Sequence, residues 1–249
     1  MKILVACEYS GIVRDEFLKK GHDAYSCDIL PCESEYYTKS DRHHEGDVMD
    51  ILNDNWDMMI AHPPCTYLSN AGARWLYPKG KLNKERYKLG LEGKKFFMDL
   101  YNAPIEKICV ENPISAKIFE MPSHSQQIQP YEYGHPYSKA TRLWLKNLPL
   151  LEPTTVVNDF KPYLPSNTGG KKRGQSSFKG FSRSSKESSK TFKGVAVAMA
   201  AQWGGEIQST KIVGNWFNKG GKDRQKNRSK TFTGVAKAMA NQWGTKEKK

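Results

Sequence analysis

The run Trp56-Asp57-Met58-Met59-Ile60-Ala61-His62-Pro63-Pro64-Cys65-Thr66-Tyr67-Leu68-Ser69 decides how this chain is read. Its first half is an apolar, strand-like stretch, and its second half is a turn with a cysteine after two prolines. Strand ends in open α/β sheets are where ligands and catalytic groups gather. Proline stiffens a turn and carries no N–H, so the Cys65 thiol can be held at a fixed angle over a pocket. That placement reads as a nucleophile.

Working outward, residues 3–7 predict a buried strand, and Glu8-Tyr9-Ser10-Gly11 predicts a turn. Residues 12–20 carry Ile12, Val13, Phe17 and Leu18 at helical spacing, and Gly21 stops that helix. Residues 22–28 predict a second strand, ending on Asp28. Gly46-Asp47-Val48-Met49-Asp50 reads as a polar turn after a loop. A strand over 55–61 leads into the Pro-Pro-Cys turn. Residues 84–101 predict a helix with Leu89, Phe96, Phe97 and Leu100 on its inner side. A strand over 106–110 ends at Glu111-Asn112-Pro113, and residues 141–145 predict one more.

Strands alternating with helices predict an α/β fold, with a mostly parallel sheet and helices on both faces. Right-handed crossovers would then bring residues 7–11, Asp28, Asp47, Cys65 and Glu111 to one edge. Five polar positions far apart in sequence would surround one cleft.

The 249 residues split sharply by charge. Residues 1–165 carry a net −2 and residues 166–249 a net +15. A basic, Gly/Ser-rich segment is what a nucleic-acid contact needs; it also suits a solvated tail. The five cysteines are odd in number, and three lie in or beside predicted strands, which suits reduced thiols and a cytoplasmic protein. No stretch approaches the ~20 apolar residues of a membrane span. The first seven residues are too short for a signal peptide. His43-His44 and His62 with Cys65 do not match paired zinc-ligand spacing, so these histidines read as loop residues and no metal is expected.

The chain ends in a repeat. Ser189-Lys190-Thr191-Phe192-Lys193-Gly194-Val195-Ala196-Val197-Ala198-Met199-Ala200-Ala201-Gln202-Trp203-Gly204 matches residues 229–244, at an offset of 40 residues. Each copy reads as a short amphipathic helix begun by a Ser/Thr cap and ended by Gly. Two copies are too few for a solenoid, and duplication of one terminal helix is the simpler account.

Two further features bear on chemistry. A turn such as Glu8 to Gly11 between strand and helix can hold a nucleotide-like cofactor, and Asp28, about 20 residues on, is placed for ribose hydroxyls. Glu111, ending another strand, is a plausible acid partner for Cys65, since a carboxylic acid in a dry pocket can deliver a proton to a ring nitrogen.

With these motifs in order, the chain resembles cytosine-5 DNA methyltransferases, most closely the short methylase-like proteins of bacteriophages and prophages. The catalytic motif stands as Pro64-Cys65-Thr66-Tyr67-Leu68-Ser69-Asn70-Ala71-Gly72, and the Glu-Asn motif as Glu111-Asn112-Pro113. The arginine-bearing strand looks like Ala140-Thr141-Arg142-Leu143-Trp144-Leu145. The cofactor motifs look like Cys7-Glu8-Tyr9-Ser10-Gly11, Asp28 and Gly46-Asp47-Val48. The family's C-terminal helix, which packs back near the cofactor, resembles the Thr-Phe-x-Gly-Val-Ala repeat. Order and spacing agree over residues 1–157.

The resemblance implies a Rossmann-like methyltransferase fold and methyl transfer from S-adenosyl-L-methionine to carbon 5 of cytosine, through a covalent cysteine adduct. It assigns catalysis to Cys65, Glu111, Asn112 and Arg142. It assigns cofactor binding to Glu8, Tyr9, Ser10, Gly11, Asp28, Asp47 and Pro63. The partner would be double-stranded DNA with the cytosine flipped out, in a bacterial cell or phage-infected host. The implied organisation is a catalytic domain over 1–157, a basic loop over 158–188, a first terminal helix over 189–207, a linker over 208–228, and a second terminal helix with basic tail over 229–249. Two alternatives stay open: a same-fold enzyme adding a different group or acting on nucleotide or RNA, and a catalytically inactive DNA-binding protein.

Overall fold

The computed structural model describes residues 1–34, 42–163 and 188–205. A seven-stranded sheet runs through the centre. Its strands are β1 (Lys2–Ala6), β2 (Asp23–Asp28), β3 (His43–Glu45), β4 (Met58–Ala61), β5 (Lys107–Pro113), β6 (Gln126–Ile128) and β8 (Thr141–Lys146). They lie in the order β3-β2-β1-β4-β5-β8-β6. The first five are mutually parallel, and β8 runs antiparallel to both neighbours. A short parallel pair, β7 (Tyr137–Ser138) with β9 (Lys161–Pro162), stands apart. This is the α/β, Rossmann-like, mostly parallel sheet expected from the sequence, with one reversed strand near an edge.

Alternation along the strands splits the core into two layers. Ile3, Val5, Ala24, Met58, Ile60 and Cys109 face one side. There they meet Val13, Phe17 and Leu18 of α1 (Ile12–Lys19), and Val195, Ala196, Met199 and Trp203 of α3 (Lys193–Gly204). Leu4, Ala6, Tyr25, Met59, Ile108, Val110 and Trp144 face the other side, against Phe96, Phe97 and Leu100 of α2 (Lys84–Tyr101). Near-continuous apolar strands follow from burial on both faces. Asn83 caps α2 by accepting from Arg86 N at 3.1 Å, and Gly21, at φ +84°, turns the chain out of α1.

Register sets the site. Ala6, Cys27, His44, Ala61 and Val110 stand level across the five parallel strands. One residue further on, Cys7, Asp28, Glu45, His62 and Glu111 form a row at the carboxyl edge. The expected convergence of strand ends at one edge is therefore present.

Three sequence expectations need correction. His43 and His44 form the edge strand β3 and are not loop residues; three residues are too few for a periodic signal. Residues 55–57 lie outside β4, and Trp56 instead donates its indole N–H to Ile51 O at 2.7 Å. The terminal helix starts at a Phe192 cap that makes no side-chain bond, rather than at a Ser or Thr. That helix shares the core with β1 and α1. Within the expected linker, Lys161–Pro162 pairs with Tyr137–Ser138. The second repeat, residues 229–244, lies outside the described residues.

No helix among the described residues is long and apolar enough to cross a membrane. All five cysteines are free thiols.

Candidate active site

Two strand ends carry the centre of the cleft. β4 extends through His62, whose backbone N–H still reaches Ala6 O at 2.9 Å. The buried Pro63 then turns the chain to Cys65. On the next strand Glu111 stands one residue beyond the level of Ala61 and Val110. Its carboxylate accepts from His62 Nδ1 at 3.3 Å. Past Cys65 and past Glu111 the two loops are laced together. Asn70 N donates to Ile114 O at 2.7 Å, Ala116 N donates to Leu68 O at 2.8 Å, and Ser69 pairs with Ser115.

Asn112 secures that lacing from beneath. It is fully buried, and its Nδ2 donates to Pro113 O at 2.9 Å and to Ser115 Oγ at 2.8 Å. It lies on the α2 face, opposite Arg142 on β8. The residues of β8 that line the cleft are Thr141 and Leu143. By strand alternation Arg142 is on the other face, near His124, whose pKa is lowered by burial and then by the Arg142 charge. The structure thus brings Cys65 and Glu111 together and leaves Asn112 and Arg142 on the far side of the sheet from them.

Electrostatics differ across the pair. Burial, and then the nearby Glu111 carboxylate, push the Cys65 thiol up to about 11, with Lys139 opposing. Burial also acts to raise Glu111. The hydrogen bond from His62, with the fields of His62 and Lys139, outweighs it and holds the carboxyl below its usual value. The resting site is therefore a neutral thiol beside an ionised carboxylate.

The adjoining edge is acidic. Glu8 accepts from the N–H groups of Val13 at 2.7 Å and Arg14 at 3.2 Å, so it occupies the N-terminus of α1. Burial raises its pKa despite these bonds. Gly11, at φ +70°, allows the turn, and an added Cβ would lie 2.7 Å from both Arg14 and Ser34 side chains. Ser10 bonds Glu8 at 3.3 Å. Asp47 caps the short turn Val48–Asp50 by accepting from Met49 N at 3.0 Å. Asp28 accepts from Leu30 N through Oδ1 at 2.9 Å, while its buried Oδ2 has no partner among the described residues. Burial carries Asp28 up to about 6. Cys7, between this edge and β1, holds φ +58°, a conformation that a non-glycine residue adopts at some cost.

The terminal repeat closes the cleft. Ser189, Lys190, Thr191 and Phe192 line it with His62, Glu111 and Lys139. Ser189 meets Tyr9 Oη at 3.3 Å, Lys190 pairs with Glu33 at 2.9 Å, and Lys139 Nζ donates to Ser188 O at 2.9 Å.

Sequence reasoning missed three contributors. His62 had a signal, its place directly before Pro63, but as a lone histidine it read as loop. Lys139 comes from the turn before β8 and has no local mark. Lys190 is far along the chain and reaches the cleft only through docking of α3. Among the described residues, no group of three or more His, Cys, Asp and Glu could hold a metal ion.

No family model matches the chain, and no curated protein matches it. Among solved structures it is similar to one described as a DNA modification methyltransferase encoded within an E. coli prophage. The identity is 14% and the TM-score 0.38, over 62% of this chain and 51% of that one. It is also similar to the methyltransferase EhMeth of Entamoeba histolytica, at 14% identity and TM-score 0.35, over 66% of this chain and 60% of that one. The chain spans between half and two thirds of the length of these structures.

Proposed function

We propose that the protein is a methyltransferase that uses S-adenosyl-L-methionine and attacks carbon 6 of a cytosine in DNA with Cys65. The observation that carries this reading is the lacing of the Cys65 loop to the Glu111 strand end. On this reading Cys65 is the nucleophile and Glu111 the acid, near one another at the carboxyl edge of a parallel sheet.

The acidic edge suits this cofactor. Glu8, Asp28 and Asp47 gather there, and the helix N–H groups that would hold a pyrophosphate are taken by Glu8. Such an edge repels phosphate and favours a cationic ligand. The unpartnered Asp28 Oδ2 fits a ribose hydroxyl. Tyr9, Ser10, Gly11, Asp47 and Pro63 are the other residues that would hold the cofactor. When bound, S-adenosyl-L-methionine supplies an electrophilic methyl group for carbon 5.

The chain's own residues do the rest. Cys65 must lose its proton as sulfur bonds carbon 6, and Glu111 must carry one to meet ring nitrogen 3. The resting distribution is the reverse, so one proton leaves the thiol and one arrives on Glu111. Each change assists the other, because neutralising Glu111 removes the charge that adds to burial in holding the thiol up. Protonated Glu111 then offsets charge developing in the ring. Release of the carbon-5 proton and of Cys65 restores the site. Asn112 positions the loops.

Nucleic acid as substrate is supported by the segment after Cys65. Trp75 is 55% exposed and Tyr77 47%, among exposed Arg74, Lys79, Lys81 and Lys84. Exposed aromatics among cations suit bases and phosphates.

The test is nucleoside mass spectrometry of duplex DNA incubated with S-adenosyl-L-methionine, wild type beside Cys65→Ala. 5-Methylcytosine from wild type alone is expected. No modified base from either overturns the assignment.

A further inference from the structure

The two terminal copies differ at only three places, and the structure says what those places are. Lys193, Val197 and Ala201 are the exposed positions of α3, one face at i, i+4 and i+8. The second copy has Thr233, Lys237 and Asn241 there. Every position of α3 that is buried or half-buried is identical in the second copy.

The identities include each demanding contact. Gly194 passes so close to Tyr133 that an added Cβ would lie 1.9 Å from its carbonyl oxygen; its counterpart is Gly234. Trp203 donates to Pro149 O at 3.1 Å, and Gln202 exchanges two 2.8 Å bonds with the Glu152 backbone; their counterparts are Trp243 and Gln242. Ser189 and Lys190, which meet Tyr9 and Glu33, recur as Ser229 and Lys230.

We propose that residues 229–244 are a second occupant of the groove that holds residues 189–204, and that the two copies exchange on one core. A helix freed from that groove would have no reason to keep its buried face intact while changing only its exposed one. Exchange leaves the cleft chemically the same, since the lining Ser-Lys-Thr-Phe is repeated. What changes is the length of chain between Tyr163 and the docked copy. It grows from roughly 24 to roughly 65 residues and then includes the released first copy. Closure entropy therefore favours the first copy by about fourfold. The occupant comes from the same chain because a tethered segment acts at ~mM effective concentration.

The test uses the full chain with Gly194→Val, Gly234→Val and both together. Valine at either site blocks docking of that copy. Gly194→Val is expected to fold, with the folding equilibrium lowered about fivefold and Tm lower by roughly 2–4 °C. It is expected to remain monomeric at every concentration. The double variant is expected to lose far more. A Gly194→Val protein as unstable as the double variant overturns the proposal. So does a concentration-dependent dimer, which would put the second copy in a neighbour's groove. Hydrogen exchange of wild type gives an independent reading. Amides of residues 195–203 are expected to show protection of no more than about fivefold, rising in Gly234→Val. Protection unaffected by Gly234→Val overturns exchange.

Discussion

His62 Nδ1 donates to Glu111 Oε2 at 3.3 Å, and the other ring nitrogen of His62 is buried with no partner among the described residues. This bond helps keep a buried carboxyl ionised, and that carboxyl adds to the burial that holds the neighbouring Cys65 thiol up. On the proposed function, the nucleophile is held protonated by burial and, after it, by its own acid partner.

That arrangement sets an expectation for Glu111→Gln. Turnover should fall strongly, since an amide cannot pass a proton to nitrogen 3. Yet the Cys65 thiol should become more reactive, because the negative charge that raises it is gone. Iodoacetamide labelling at pH 8, followed by mass spectrometry, checks this. With the thiol near 11, wild type should label slowly, at roughly a thousandth of the full thiolate rate. Equal or slower labelling of Glu111→Gln would remove the coupling.

Asp28→Asn should stabilise the protein and weaken its cofactor binding together. The Asp28 carboxyl, near 6 in the fold against 3.8 in the free side chain, binds protons more tightly folded than unfolded. Stability from this group is therefore full below about pH 4 and falls as pH rises through 6. At pH 7 the ionised, buried carboxylate costs up to about 3 kcal/mol. Asparagine removes that cost and the ribose acceptor. Thermal melts from pH 4 to 8, with calorimetric titration of S-adenosyl-L-methionine, read both effects. A melt lowered at pH 7 would contradict the assignment of Asp28 as a strained ligand group.

Much of this was legible in the chain. α2 was legible to the residue, because Asn83 caps it and Phe96, Phe97 and Leu100 keep helical spacing. The central strands were legible because burial on both faces leaves them almost free of polar residues. The short strands β3, β6, β7 and β9 were not, since two or three residues carry no period and their pairing is wholly tertiary. Cys65, Glu111 and Asp28 became candidates because they stand at or just past strand ends. Lys139 did not, because the turn before β8 carries no local mark, and Lys190 did not, because only docking of α3 brings it to the cleft. Strand alternation, which puts Arg142 on the opposite face from Thr141 and Leu143, depends on a register visible only once β8 pairs with β5.

Asn112→Ala should damage activity more than stability. The lost bonds to Pro113 O and Ser115 Oγ cost about 1–2 kcal/mol. The buried Oδ1, which has no partner among the described residues, limits that loss. The larger effect falls on geometry, since Ile114 and Ala116 hold Asn70 and Leu68 and so the Cys65 loop. A misplacement of about 1 Å can cost roughly a hundredfold in rate. Melting curves beside single-turnover methylation separate the two effects. Undiminished turnover would mean the lacing does not position Cys65.

The segment from Tyr67 to Lys84 should be the part of the core that meets nucleic acid. Arg74 stacks on Trp75 at 4.8 Å and Arg86 on Tyr67 at 4.9 Å, so these rings are held in place for a base. Trp75→Ala removes a stacking surface worth about 1–3 kcal/mol per base, with little change in salt dependence. Lys79→Ala with Lys81→Ala removes phosphate contacts instead, and should flatten the slope of log affinity against log salt by about one to two. Because all three side chains are exposed, neither variant should shift the melting temperature. Fluorescence anisotropy with labelled duplex at several salt concentrations distinguishes the two contributions. If both variants bind as wild type does, nucleic-acid contact would fall to the basic residues beyond 165 alone, and this segment would be left without a role in binding.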